Sequence, residues 1–228
     1  TLSNNGGVRE YNPAADNDSL IDTPTDYTAT SGNNGGNYAT LNPLNSTATL
    51  SDGNLNQSAT GIGNSHATIR IPSSGKWYYE LQVEAQTNGF VSGIQALSTP
   101  TTPNNSNSMA IAETGARYNG DGSRTNSFLS AFVVGDILGV AIDQDGDTIN
   151  FYRNGTAGGS TLTPSSLGSE LMIVVHTNAT QVNLNFGQRP FAYTPPTNHV
   201  SLCTQNLPDP PIADGATAFD VITATGTA

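Results

Sequence analysis

The sequence predicts an all-β protein, two antiparallel sheets packed face to face, and three observations predict it. Charged residues make up 11% of the 228 residues, so polarity is carried by Asn, Thr, Ser and Gly. Those side chains suit turns and the solvent faces of strands and do poorly inside helices. Several segments alternate apolar and polar residues with a period of two, whereas no stretch carries an amphipathic helical stripe of useful length. Turn dipeptides, Asp52-Gly53 and Asn154-Gly155 among them, separate these segments at close spacing.

Taken in order, residues 1–35 hold many Asn, Gly, Asp, Pro and Thr and few apolar anchors, and read as an irregular N-terminal arm lying on another surface. A β-domain is expected over residues 36–207. It opens with the apolar points Tyr38, Leu41, Leu44, Leu50 and Leu55, with Asp52-Gly53 turning the chain between candidate strands. From His66 to Ile71, Ala67, Ile69 and Ile71 face one way and Thr68 and Arg70 the other. The cleanest strand is Trp77 to Ala85: its odd positions are all apolar, and its even positions from Glu80 onward are all polar. Ile137 to Ile142 is nearly continuous apolar, as a central strand covered on both sides would be. Asp143 to Asp147 makes a turn, and Thr148 to Tyr152 returns with Ile149 and Phe151 inward before Asn154-Gly155 turns the chain again. Leu171 to Val175 and Val182 to Phe186 read as two later strands. Pro208-Asp209-Pro210-Pro211 is a stiff break, so residues 208–228 are expected to be a linker or the start of a following domain. Both ends read as cut from something longer.

Charge and cysteine content narrow the function. Seven Lys and Arg against 18 Asp and Glu give 7 − 18 = −11, too little base to displace counterions from phosphates. Nucleic acid is therefore not an expected partner, and an anionic membrane surface is disfavoured for the same reason. No apolar run is long enough to span a bilayer, and membrane insertion is not expected. The single cysteine, Cys203, excludes an internal disulfide framework and a multi-cysteine zinc site.

Three blocks resemble a known family. Gly75-Lys76-Trp77-Tyr78-Tyr79-Glu80-Leu81-Gln82-Val83 resembles the first signature of SPRY domains, a glycine-led aromatic pair followed by Glu and an apolar alternation. Gly135-Asp136-Ile137-Leu138-Gly139-Val140-Ala141-Ile142-Asp143 resembles the second, and Ile149-Asn150-Phe151-Tyr152-Arg153-Asn154-Gly155 the third. The resemblance covers roughly residues 36–206 and implies a lectin-like bent β-sandwich of the SPRY type, whose loops recognise protein or glycan ligands without chemistry. The flanking segments Asn17 to Thr25, Tyr38 to Leu44, Phe186 to Phe191 and Leu202 to Pro208 resemble those around SPRY domains in bacteriophage tail and fibre proteins. The expected function is thus a non-enzymatic structural and recognition module of a virion, in an extracellular tail fibre, spike or appendage. Its expected partners are other virion subunits, including copies of itself, and a host-surface glycan or protein. A purely structural docking or decoration protein is the alternative, and a glycan-processing hydrolase a distant one.

No cofactor, metal or catalytic residue is expected. Asp143, Asp145 and Asp147 have the alternate spacing of calcium ligands. Thr148 and Asn154, however, stand where a complete loop would carry Gly and a bidentate Glu. Glu80 and Glu84 share a strand face, but Gln82 stands between them. Four residues of straight strand separate two carboxyls by about 13 Å, against the roughly 5–5.5 Å of a retaining hydrolase. Cys203 with His199 or His176 lacks any nucleophile context. The Asn-X-Ser/Thr sequons beginning at Asn17, Asn45, Asn56, Asn154 and Asn178 are of the kind an Asn/Thr-rich chain produces by chance. The candidate ligand-binding residues are Arg117, Tyr118, Asn119 and Arg124, because Tyr and Arg are favoured anchors and this stretch is rich in turn residues. The loop 97–108 carries no family motif.

Overall fold

The computed structural model describes residues 37–98 and 102–208, so the predicted arm and nearly all of the predicted linker lie outside the described residues. Thirteen strands join into one sheet, and no α-helix occurs among the described residues. The strands are β1 (Leu41–Ser46), β2 (Thr49–Ser51), β3 (Asn56–Ser58), β4 (Ile62–Ala67), β5 (Lys76–Ala96), β6 (Ser108–Ala112) and β7 (Arg117–Asn119). There follow β8 (Arg124–Thr125), β9 (Ile137–Asp143), β10 (Thr148–Arg153), β11 (Thr156–Ala157), β12 (Leu171–Asn185) and β13 (Val200–Ser201). One path through the sheet runs β1-β4-β12-β5-β6-β7-β8, and β9 and β10 extend it beside the first half of β5. Every pairing is antiparallel except that of β13 with β5.

The two predicted sheets are halves of one. Tyr79 and Ser92 both lie in β5, where thirteen residues of straight strand would span about 43 Å. Their hydroxyls are 3.0 Å apart. The strand therefore doubles over on itself, and its bend falls in the solvent-facing run around Glu84 to Asn88. Strand β12 follows it, with register shifts between Asn178 and Thr180 and again between Gln181 and Val182. The segments read as two strands, Leu171 to Val175 and Val182 to Phe186, are thus the arms of one bent strand. Periodicity could not reveal this, because at a bulge two residues on one strand face a single partner and the alternation changes phase.

A single core fills the fold between the halves. Trp77, Tyr79, Leu81 and Val83 enter it from one arm of β5, and Phe90 and Ile94 from the other. Leu138, Val140, Ile149, Phe151, Leu184 and Phe186 complete its centre. Phe90 meets Phe132 edge to face with ring centroids 5.4 Å apart. The alternation expected from Ala67 to Ile71 is kept in burial, although β4 ends at Ala67 and Ile71 forms an isolated bridge to Leu171.

One expectation fails on the even face of β5, where Tyr78 and Glu80 are buried while Gln82 and Glu84 face solvent. The second layer there is the chain after β12. Phe191 meets the Tyr78 ring edge to face at 4.9 Å, and Tyr78 lies across Gly139, where a Cβ would come within 2.4 Å of its hydroxyl. Glu80 accepts the backbone N–H of Ala192 at 2.8 Å and that of Tyr193 at 3.0 Å, together with the Tyr78 hydroxyl at 3.2 Å.

Turn chemistry follows the sequence. Asn154 and Gly155 both have positive φ, 49° and 76°, as a two-residue type I′ hairpin requires, and Arg153 pairs with Thr156 across it. The second and third sequence blocks meet here. Asp136 accepts Nε and Nη2 of Arg153 at 3.0 and 2.6 Å, Nδ2 of Asn154 at 2.6 Å and the Val133 N–H at 2.8 Å. Burial alone would raise the Asp136 pKa; these donors outweigh it and hold the carboxyl below its ordinary value.

Candidate functional site

The four residues singled out in the sequence lie together at one end of the sheet, on β7 and β8, but they face two ways. Arg117 points inward. Its guanidinium lies 4.3 Å from the centroid of Phe128, and it donates to the Ser160 carbonyl at 2.6 Å, the Ser160 hydroxyl at 3.0 Å and Asn119 at 2.9 Å. At 6% exposure it fastens the β7 edge to the loop after β11, and burial lowers its pKa. Asn119 turns the same way, donating to the hydroxyls of Ser123 at 2.8 Å and Thr125 at 3.2 Å.

Tyr118 and Arg124 face out. Consecutive strand residues point to opposite faces, so Tyr118 leaves the sheet on the side Arg117 does not use. It packs on Val91, Ala110 and Ala112, a small apolar cluster separate from the main core. The exposed Arg124 guanidinium stands 5.8 Å from the Tyr118 ring centroid and donates to Thr114 at 3.4 Å. Tyr118 and Arg124 are held opposite each other by the β7–β8 pairing.

Glu113 is the residue the sequence reading missed. Its side chain lies over Gly89, where a Cβ would come within 2.3 Å of the carboxyl carbon. Burial raises its pKa, partly opposed by the positive charge of Arg124, and burial raises that of Tyr118 against the same charge. The only sequence signal for Glu113 was an acid before the Thr114-Gly115 turn, which says nothing of Arg124 eleven positions on. The outward face thus holds an aromatic ring, a cation and a half-buried acid side by side, on a rigid strand pair anchored from behind by Arg117.

The acids considered for metal and hydrolytic chemistry are engaged separately. Asp143 pairs with Lys76 at 2.5 Å, Asp145 accepts the Gly75 N–H at 2.8 Å, and Asp147 accepts the Ser165 N–H at 2.9 Å. No group of three metal-ligating side chains occurs among the described residues. Glu84 is committed to Asn56 at 2.6 Å and Gln181 at 2.9 Å. Cys203 is buried beside Ser201, with the sulfur 3.7 Å from its hydroxyl, and His176 instead pairs with Asn64 at 2.8 Å. Burial lowers the pKa of His176.

A sheet bent over one core defines the class, an all-β sandwich. The family follows from comparison: the SPRY domain profile matches residues 76–189, half of the chain, and the chain belongs to the SPRY family. Among solved structures, the SPRY domain of human HERC1 superposes with a TM-score of 0.53 at 18% identity, covering 63% of this chain and 96% of that one. The TRIM65 PSpry domain gives a TM-score of 0.49 at 14% identity, over 65% of this chain and 92% of that one. A curated relative, the E3 ubiquitin-protein ligase RKP of Arabidopsis thaliana, is 31% identical over 131 residues, 52% of this chain. The chain spans a tenth of that ligase's length. SPRY domains are in general interaction modules.

Proposed function

We propose that this chain is a non-enzymatic recognition module that contacts its ligand through Tyr118 and Arg124. The observation that carries this reading is their geometry: an aromatic face and a cation on adjacent paired strands at one end of the sheet. Tyr and Arg dominate binding hot spots because each offers large contact area with a polar tip. Arg117 and Asn119 serve the site as positioning residues. Glu113 contributes a second polarity beside the cation, which suits a ligand carrying both donors and acceptors, as glycans and peptides do.

The virion setting, with other virion subunits and copies of the same chain as partners, rests on the flanking sequence segments, above all Phe186 to Phe191 and Leu202 to Pro208. The ligase relative supports a different setting, a recognition segment within a much larger chain. Both settings use the same module.

The test is a glycan array and a peptide array probed in parallel with the wild-type domain and with Tyr118→Ala and Arg124→Ala. Binding is expected in one array and is expected to fall at least about tenfold in each variant, the loss of a hot-spot contact. Undiminished binding by both variants would remove this site from the proposal. Release of reducing sugar from an arrayed glycan would overturn the non-enzymatic reading.

A further inference from the structure

On the opposite half of the sheet, a groove of about 150 Å³ lies over β5, β9 and β12, away from Tyr118 and Arg124. Its polar lining is Glu80, Gln82, Asn183, Asn185 and Arg189, and Ile137, Pro190 and Ala192 supply its apolar walls. Most of the polar lining is already committed. Both Glu80 oxygens are taken by the donors described above. Asn185 accepts the Gly187 N–H at 2.9 Å and donates to the Pro190 carbonyl at 3.1 Å. Asn183 donates to Asp52 at 3.3 Å and accepts from Nη2 of Arg189, which also donates to the Leu184 carbonyl at 2.9 Å.

Two groups remain for a ligand. Gln82 is exposed, with no side-chain partner among the described residues. Arg189 is exposed, and among the described residues no carboxylate lies within ion-pair distance of it, although the chain's net charge is −11. With Nη2 anchored on Asn183 and Leu184, the remaining Nε and Nη1 donors are held in a fixed plane. Together with the Gln82 amide this makes an opening rich in donors, with the Gln82 carbonyl as an acceptor that has no partner of its own. A ligand that only accepts satisfies it best, and a planar carboxylate matches the guanidinium fork. Glu80 is buried, but its oxygens accept three hydrogen bonds and it lies beyond ion-pair distance of Arg189, so attraction across a direct guanidinium contact exceeds the repulsion from that farther charge.

We infer that this groove is a second binding site, one that takes the carboxylate of an acidic side chain from a partner protein. Its volume fits one side chain rather than an extended segment. No aromatic ring lines it to carry the face of a sugar, which favours a protein carboxylate over an acidic glycan.

The probes are N-acetyl-aspartate methylamide, the matching asparagine compound and glucuronate, each titrated into the ¹⁵N-labelled domain. The side-chain resonances of Arg189 Nε and Gln82 are followed by NMR. The aspartate compound is expected to shift both at millimolar concentration, with the asparagine compound at least roughly tenfold weaker, the scale of a charge-assisted contact. Gln82→Glu places a competing carboxylate beside Arg189 on an exposed position, so it is expected to abolish the aspartate response while leaving the melting temperature unchanged. Equal responses to the aspartate and asparagine compounds, or an undiminished response in the Gln82→Glu variant, would overturn the carboxylate site. Tighter binding of glucuronate than of the aspartate compound would overturn the protein partner. Tyr118→Ala is expected to leave these shifts intact, which separates this groove from the site on β7 and β8.

Discussion

Replacing Glu80 by Gln tests whether the even face of β5 is a buried surface. Glu80 is 3% exposed and accepts two backbone N–H groups and one phenol, so all three interactions are charge-assisted. Hydrogen bonds to a charged group contribute about 1.5–3 kcal/mol each, against roughly 0.5–1.5 for neutral ones. Gln keeps the shape, but its NH₂ must face a donor: the Ala192 N–H if it replaces one oxygen, the Tyr193 N–H if it replaces the other. One bond is lost with its donor left unpaired and the others weaken, a total of roughly 2–4 kcal/mol. For a domain of this size that corresponds to a fall in Tm of about 5–15 °C. Gln82→Ala, two residues along the same face but in solvent, is expected to cost less than about 0.5 kcal/mol. Urea unfolding of the two variants beside the wild type gives both numbers. Equal midpoints for Glu80→Gln and Gln82→Ala would show that the chain after β12 does not cover this face, and the second layer over Tyr78 would have to be abandoned.

Leu81→Ala is expected to cost about 2–5 kcal/mol in the same assay, because Leu81 is fully buried and its loss leaves a cavity. Asp136 has a folded pKa below its unfolded one, so the stability it adds is present above about pH 4 and is lost as pH falls through the lowered value. Asp136→Asn should therefore flatten the acid limb of a stability-against-pH curve, and an unchanged limb would refute the assignment. His176 has a lowered folded pKa as well, set by burial, and its effect falls in a higher pH window. Its lowered folded pKa means that the unfolded chain binds its proton first, so stability should rise with pH up to about 6.5, and His176→Asn should remove that slope. A chelator should leave the melting temperature unchanged, since Asp143, Asp145 and Asp147 each serve a different neighbour.

Sequence reading went furthest where one residue decides one local conformation. Asn154-Gly155 could be read as a hairpin because only a few residues tolerate positive φ at both central positions, and the structure places the turn there. The odd face of β5 was legible from Trp77 to Val83 because burial on one side leaves a strict period of two. The burial of Tyr78 and Glu80 was not legible because the residues that cover them, Phe191 to Tyr193, lie more than a hundred positions away and carry no periodic signal. The length of β5 was hidden for a related reason. Its second arm, Phe90 to Ala96, is buried on both faces and interrupted by Gly93, whose missing Cβ lets the backbone of β6 approach. At the candidate site, composition singled out one segment but could not separate Tyr118 and Arg124 from Arg117 and Asn119, since facing depends on register with β6 and β8.

The doubling of β5 also places the two proposed surfaces on different halves of the sheet. Its second arm carries β6 and, through β6, the pair β7–β8 with Tyr118 and Arg124. Its first arm carries β9 and faces the Arg189 groove with Gln82. Each surface lies on the outside of its own half, and the shared core between them is close-packed from Trp77 to Ile94. Substitutions on the two surfaces have no side chain in common, so their effects on stability should add within a few tenths of a kcal/mol. A double variant, Gln82→Glu with Tyr118→Ala, therefore measures independence directly. A departure from additivity in either binding response would mean that the bend at Glu84 to Asn88 transmits strain between the halves, and the two surfaces would have to be treated as one coupled site.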